Sequence, residues 1–177
     1  MINAYEYGRA LFMLSEEENI TEEIGHQIKE ILEVLKNNPE YCNVLDTPAI
    51  ASEEKPKLID KAFAGTHEYV LNFIKILCSR RAISQFEECV KVFSQAYDES
   101  RNIMRATAVT AMPMSEKQIK ALSEKLEKIT GKTVEVSNVI DPDLIGGVTL
   151  RYEGKQLDGS IKSRLDELKK MLSETIV

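Results

Sequence analysis

The stretch Val134–Leu172, VEVSNVIDPDLIGGVTLRYEGKQLDGSIKSRLDELKKML, decides the fold. Val134 and Val136 alternate with Glu135 and Ser137, the period-two pattern of a strand buried on one face. Asp141-Pro142-Asp143 interrupts it, because proline has no N–H to donate and a fixed φ. Beyond Gly146-Gly147 the alternation resumes at Val148, Leu150 and Tyr152, separated by Thr149 and Arg151. Glu153-Gly154 reads as a two-residue hairpin turn into a short strand. Asp158 or Ser160 then caps a closing helix that places Ile161, Leu165, Leu168 and Leu172 on one stripe. Nothing in this unit resembles a reaction centre. It reads as a docking platform.

Immediately upstream, Arg105–Met112 is β-branched and alternating, which predicts a strand that ends at Met112-Pro113. Ser115 followed three residues later by Gln118 is a capping-box signature. The helix it opens carries Ile119, Leu122, Leu126 and Ile129 on its expected buried face, with Gly131 as the residue that ends it. Residues 105–177 are therefore expected to form a small α/β domain.

Residues 1–104 carry a different signal, a run of helices with short connections, expected to pack as one all-α bundle. In the first helix Tyr7, Leu11 and Leu14 share a stripe. Gly8 costs about 1 kcal/mol of helix propensity relative to Ala, which a close approach by another helix would explain. A second helix starts at Thr21, bears Ile24, Ile28, Ile31 and Leu35, and stops at Asn37-Asn38-Pro39. A short helical piece spans Glu40 to Leu45, and Ser52 is the expected cap of a helix reaching Phe63. The next helix, His67 to Ser79, is apolar on nearly all sides, as in a central or partner-covered helix. The last begins near Ile83 and carries Phe86, Val90, Phe93 and Tyr97.

Composition narrows the function classes. The 177 residues are 43% hydrophobic and 29% charged, enough for a core and unlike a disordered chain. Residues 1–105 hold 12 Lys+Arg against 18 Asp+Glu, whereas residues 106–177 hold 11 of each. An acidic chain without a basic cluster is a poor ligand for a phosphate backbone, so no nucleic-acid partner is expected. Cys42, Cys78 and Cys89 form no CxxC pair and are odd in number, which fits reduced intracellular thiols. The N-terminus shows no secretory or transit signal, and no apolar segment is long enough to cross a bilayer, so contact with a membrane is expected only through a partner.

Catalytic and ligand-binding patterns are lacking. His26 and His67 have no metal-ligand spacing around them. Gly146-Gly147 is not followed by Lys-Ser or Lys-Thr, GxSxG does not occur, and Asp141 and Asp143 lack the further ligands of a calcium loop. The two aspartates read as turn-formers around Pro142. Arg80-Arg81 sits between two helices, either as a partner of a helix C-terminus or as a contact for an acidic partner. No cofactor or metal is expected.

Two motifs supply what composition does not. Tyr7-Gly8-Arg9-Ala10-Leu11-Phe12 resembles the Tyr-Ala-x-Ala-Leu-Phe opening of the delta-subunit family of bacterial F-type ATP synthases, whose mitochondrial counterpart is the oligomycin-sensitivity-conferring protein. Ile140–Val148 (IDPDLIGGV), with Asp158-Gly159-Ser160-Ile161 and Arg164-Leu165, is similar to that family's C-terminal signature, represented by Asp141, Pro142, Gly146, Gly147, Asp158 and Gly159. The chain departs from the family at Arg80-Arg81-Ala82, where Asn-x-Arg is frequent. The resemblance implies an N-terminal six-helix bundle followed by a small α/β domain, and a non-catalytic stator subunit on the cytoplasmic face of a bacterial membrane. It further implies that residues 1–104 bind the N-terminal helix of an alpha subunit of the catalytic head, in a groove between the first and fifth helices. Residues 105–177 are implied to hold the ends of b-type peripheral-stalk subunits. For the groove, Tyr7, Ala10 and Leu14 are the candidates on the first helix, with Leu11 and Gly8 as the alternative, bundle-facing pair. Val70, Phe73, Ile74 and Leu77 are the candidates on the fifth, with ordinary core packing as the alternative for each. The rival readings are a helical adaptor unrelated to ATP synthase and a small enzyme. Whether the complex moves protons or sodium ions is decided outside this chain.

Overall fold

In the computed structural model, residues 3–47, 50–144 and 146–160 are described. The fold mixes seven α-helices with a four-stranded sheet among those residues, and the chain divides into two compact units, Met1–Tyr97 and Asp98–Val177.

The first unit is helical: α1 (Ala4–Glu17), α2 (Thr21–Asn37), α3 (Pro39–Asp46), α4 (Glu54–Ala62), α5 (Glu68–Ser79), a 3-10 turn at Ile83–Gln85, and α6 (Phe86–Ser100), whose last residues pass into the second unit. Local chemistry sets the boundaries. The Asn3 side chain accepts the Tyr5 N–H and so caps α1. Pro39 occupies the first turn of α3, where a missing donor does least harm. His67 is not a helical residue but the cap of α5, its Nδ1 accepting the Tyr69 N–H at 3.2 Å. The expected cap Ser52 makes no such bond, because α4 begins two residues later with Glu53 in the cap position and no side-chain acceptor. After α5 the Arg81 N–H donates to the Cys78 carbonyl and the Ala82 N–H to the Leu77 carbonyl. That is a Schellman ending, with Arg81 held at φ +53° where glycine is usual.

One core unites these helices. Ile24, Ile28, Ile31 and Leu35 of α2 form its spine, joined by Leu45, Ile59, Val70, Ile74, Leu77, Phe86 and Phe93. α1 lies tightly on α6. A Cβ placed on Gly8 would stand 2.5 Å from the Cys89 carbonyl oxygen and 2.9 Å from Val92 Cβ. Four residues on, Phe12 meets Phe93 edge-to-face, with ring centroids 5.8 Å apart. The glycine is therefore required by the approach of α6, as its helix-propensity cost suggested.

The second unit orders its strands β2-β1-β3-β4, with β1 Ile103–Thr110, β2 Thr133–Ile140, β3 Gly147–Tyr152 and β4 Lys155–Ser160. β1 pairs parallel with β2 across the crossover helix α7 (Glu116–Thr130), and antiparallel with β3. Met104, Ala106, Ala108, Val134 and Leu150 form the small core, with Leu122 and Leu126 of α7 packed against it. The Ser115–Gln118 capping box is formed in both directions, and Gly131 ends α7 at φ +68°. Glu153 and Gly154 both take positive φ, which makes the β3–β4 connection a type I′ turn.

Two expectations are corrected. Ile129 is 81% exposed rather than buried: α7 packs on the small core through Leu122 and Leu126, and Ile129 takes no part in it. Asp158 and Gly159 lie inside β4, not at a helix start. The Asp158 carboxylate accepts from the Thr149 hydroxyl across the β3–β4 pair, and a Cβ on Gly159 would approach the Val148 carbonyl oxygen to 3.0 Å. The closing helix expected over 161–172 lies outside the described residues.

Replacing Gly8 with Ala should destabilise the chain. Forcing a methyl against backbone costs ~1–3 kcal/mol, offset by about 1 kcal/mol of gained helix propensity. Urea denaturation followed by circular dichroism should show a lowered midpoint; an unchanged or raised midpoint would mean that α1 and α6 do not meet at Gly8.

Candidate docking surfaces

The polar groups that most often carry chemistry are committed to the fold. Among the described residues no three His, Cys, Asp or Glu side chains converge as a metal site would need. His67 serves as a helix cap, and the Asp141 carboxylate accepts the Asp143 N–H at 3.0 Å, the self-bonded turn its sequence suggests. The three thiols are free, and burial raises the pKa of each, that of Cys89 to about 11. A thiol kept protonated at neutral pH is a poor nucleophile. Beside these polar groups the surface carries exposed large apolar side chains in both units.

On α1, Gly8, Leu11, Phe12 and Ser15 face the core. At 100° per residue this places Tyr7, Ala10 and Leu14 together on the neighbouring flank. Tyr7 is half-buried at the border, Ala10 is exposed and Leu14 is 37% exposed. Of the alternative pair, Leu11 and Gly8 are both buried. Met13 is also exposed, and acidic residues border the stripe at Glu6, Glu16, Glu17 and Glu18. Tyr5 lies on the far flank, where its hydroxyl accepts from Arg9.

The α5 residues expected beside them are placed differently. Val70, Ile74 and Leu77 have no exposed surface and Phe73 has 7%, so all four belong to the core of the unit. The reason is that α5 points its i, i+3, i+4, i+7 stripe inward onto α2 and α6, where Phe73 meets Phe86. The excess apolar surface that marked α5 lies on other positions. Ile76 is 45% exposed, and Tyr69 and Leu71 are half-buried. Tyr69, Asn72 and Ile76 follow an i, i+3, i+7 line along the outside. Sequence reasoning missed Ile76, because nothing within so uniformly apolar a helix tells Ile76 from Ile74.

In the second unit three exposed apolar residues, apart from Ile129 on α7, gather at one end of the sheet. Val139 and Ile140 are each half-exposed at the end of edge strand β2, and Met112, two residues past β1, is 75% exposed. β1 and β2 run parallel, with Val109 beside Val139 and Thr110 beside Ile140, so these residues share the C-terminal end of both strands. The Asp141–Gly147 signature begins there, tied by the Asp141 N–H to the Thr110 carbonyl. Leu157 adds an exposed residue on the opposite edge strand, β4. Asp141, Pro142, Gly147, Asp158 and Gly159 thus shape turns and strand pairing next to that surface.

With this geometry in place, likeness to known proteins becomes informative. The family model of the ATP synthase delta (OSCP) subunit matches residues 4–172. The "ATP synthase subunit delta" of Clostridioides difficile (strain 630) is 34% identical over 180 residues, spanning 99% of this chain and 99% of its own length. The subunit of the same name from Geobacillus sp. (strain WCH70) is 31% identical over 172 residues, covering 97% of each chain. Among solved structures, a chain of the Toxoplasma gondii mitochondrial ATP synthase hexamer shares the fold, with a TM-score of 0.72 over 97% of this chain and 98% of that one, at 20% identity.

The two faces of α5 should separate on mutation. Ile74→Ala removes a fully buried side chain and should cost ~2–5 kcal/mol of stability, whereas Ile76→Ala should change it by less than about 0.5 kcal/mol. Chemical denaturation of both variants checks this, and equal effects would reverse the facing of α5.

Proposed function

The chain belongs to the ATP synthase delta (OSCP) subunit family, a stator component of F-type ATP synthases, and on that premise we propose which of its surfaces joins which partner. The subunit is structural rather than catalytic. In our reading the N-terminal unit, a six-helix bundle over residues 1–104, receives the N-terminal helix of an alpha subunit of the catalytic head. The α/β domain, residues 105–177, holds the ends of the b-type stalk subunits. Together they keep the head from turning with the rotor, on the cytoplasmic face of the membrane and attached to it only through the complex. An adaptor unrelated to ATP synthase is set aside by a family match that runs nearly the length of the chain.

The observation that carries the first contact is the Tyr7-Ala10-Leu14 flank of α1, an apolar i, i+3, i+7 line left accessible beside the buried stripe. Such a line suits a helix-in-groove contact, in which an amphipathic partner lays its own apolar stripe between two walls. Ala10 allows close approach, Tyr7 offers an amphipathic ring, and Ile76 with Tyr69 of α5 supplies apolar surface for the second wall in place of Val70, Phe73, Ile74 and Leu77. The acidic surroundings of α1 favour a partner helix with Lys or Arg along its rim, which raises the encounter rate more than the affinity. A joint under sustained torque needs slow dissociation, and that comes from buried apolar anchors. For the second contact, the exposed cluster of Met112, Val139 and Ile140 is the apolar patch we assign to the stalk.

The test is calorimetric titration of the full chain with a synthetic ~20-residue peptide from the N-terminus of the same organism's alpha subunit, about 30 Å long as a helix. One-to-one saturable binding is expected. Tyr7→Asp or Ala10→Asp should weaken it at least about tenfold, a difference of about 1.4 kcal/mol, with the helical circular dichroism unchanged. Lost helicity would make Tyr7 and Ala10 core residues. Absent binding by a folded chain would overturn the groove.

A further inference from the structure

At the C-terminal end of α5, the helical unit holds a pocket of about 190 Å3 that opens to the surface, its polar lining formed by Ser52, Lys55, Lys75, Ser79 and Arg81. This is below the ~300 Å3 at which clefts begin to hold drug-sized molecules, so an occupant is a small ion. Lys55 is only 8% exposed, and its Nζ donates to the Leu45 carbonyl oxygen at 2.5 Å. An ammonium carries three donors. Among the described residues Lys55 makes no second hydrogen bond and no ion pair, a costly state for a buried cation unless a counter-ion joins it.

Arg81 adds a second unneutralised charge. Its backbone sits at φ +53°, where glycine would be free of strain, while its guanidinium makes no hydrogen bond or ion pair among the described residues. Lys75 is already paired with Asp60 at 2.5 Å, and the Ser79 hydroxyl is donated to the Ile76 carbonyl. The Ser52 hydroxyl has no partner among the described residues. Asp46, beside Leu45, keeps one buried oxygen unpaired but does not line the cavity. Two cations without an ion pair among the described residues, the buried Lys55 and the exposed Arg81, therefore line one small space together with the exposed Ser52, from the segment that leads into α4 and from the turn after α5.

We propose that this cavity binds a small tetrahedral oxyanion of the phosphate class, held by Lys55 Nζ, the Arg81 guanidinium and the Ser52 hydroxyl. A lone carboxylate would be satisfied by the planar fork of one arginine, whereas donors from three residues on two segments match an ion with four oxygens. The site involves neither α1 nor the sheet unit; it shares α5 with the proposed groove but uses none of Tyr69, Ile76 or the α1 flank.

Nuclear magnetic resonance titration of the full chain with inorganic phosphate at constant ionic strength, with chloride as the control, tests it. The amides of Ser52, Lys55, Ser79 and Arg81 should shift and saturate. Lys55→Met and Arg81→Gly should each weaken binding about tenfold, as loss of one charge-assisted hydrogen bond does. Both should stay folded, since Met fills the space of the lysine stem and glycine suits the backbone of residue 81. Lys57→Met, on the exposed side of α4 where Lys57 pairs with Glu54, should change nothing. A parallel titration with ADP separates the sources: tighter saturation of the same amides, lost in the same variants, would assign the site to a nucleotide phosphate. Shifts that never saturate, shifts that survive both substitutions, or saturation by acetate but not phosphate would each overturn the proposal.

Discussion

Residue 8 has no side chain, and the contact this permits between α1 and α6 decides which face of the first helix stays outside. With the Cys89 carbonyl oxygen 2.5 Å from where a Cβ would stand, α1 has little freedom to rotate about its axis. Phe12 against Phe93 fixes the rotation one turn further on. Once Gly8, Leu11, Phe12 and Ser15 are inside, helical geometry alone leaves Tyr7, Ala10 and Leu14 on the adjacent flank. The Ser15 hydroxyl, which has no exposed surface, is satisfied by the Phe12 carbonyl at 2.7 Å, so even the polar member of the inner face adds no pressure to turn outward. The docking flank is thus a consequence of core packing rather than a separate feature.

The same logic runs through the sheet unit. The residues that mark its C-terminal signature look like site residues because glycines and aspartates cluster there, yet their work is geometric. Gly159 lets β4 pass close to the Val148 carbonyl, Asp158 accepts from Thr149, and Asp141 closes a turn on itself. Arg105 binds Asp98 through two nitrogens, at 2.8 and 3.0 Å, and Glu135 through a third, tying β1 to the last turn of α6 on one side and to β2 on the other. These exposed pairs fix register more than they add stability. Small side chains at Ala106 and Ala108 keep the core beneath α7 thin, which is enough for a unit whose outer apolar residues are left for contact.

How much of this was legible in the sequence follows from the range of the forces involved. Features set by hydrogen bonds within four residues could be read directly: the Ser115–Gln118 capping box, Gly131 at the end of α7, the Glu153-Gly154 turn, and the Asp141 turn. Gly8 was readable as a tight helix contact, but not that α6 makes it. The facing of α5 was not readable. A helix apolar on nearly every side offers no internal contrast, so only its neighbours decide that Ile74 goes in and Ile76 stays out. Asp158-Gly159 failed for the converse reason. Asp158 and Gly159 have local preferences for a helix start, and the ladder with β3 overrides them, whereas Ser160 as the cap of the closing helix lies at the edge of the described residues. Ile129 matched the helical stripe, but a stripe does not report how far the core beneath it extends.

A protein that holds two others together against a load has no transition state to stabilise, so its specialisation lies in what it leaves unsatisfied. Here side chains cap the N-termini of α1, α5 and α7, the histidine before α5 among them, and burial holds the Cys78 and Cys89 thiols in their neutral forms. Large apolar side chains are left in water across both units, among them Met13, Leu14, Val34, Val44 and Ile76 in one and Met112, Ile129, Val139, Ile140 and Leu157 in the other. Covering such side chains contributes about 25 cal/mol per Å2 and is insensitive to salt, whereas the acidic rim acts through fields that salt screens within about 10 Å. The two effects therefore divide the work of a static joint. Rim charge sets how quickly a partner helix arrives, and apolar burial sets how long it stays. A subunit built this way gains hold by enlarging the buried patch without altering its charge, and in the contact proposed for α1 the small residue at Ala10, by admitting a helix closely, would matter as much as the larger side chains around it.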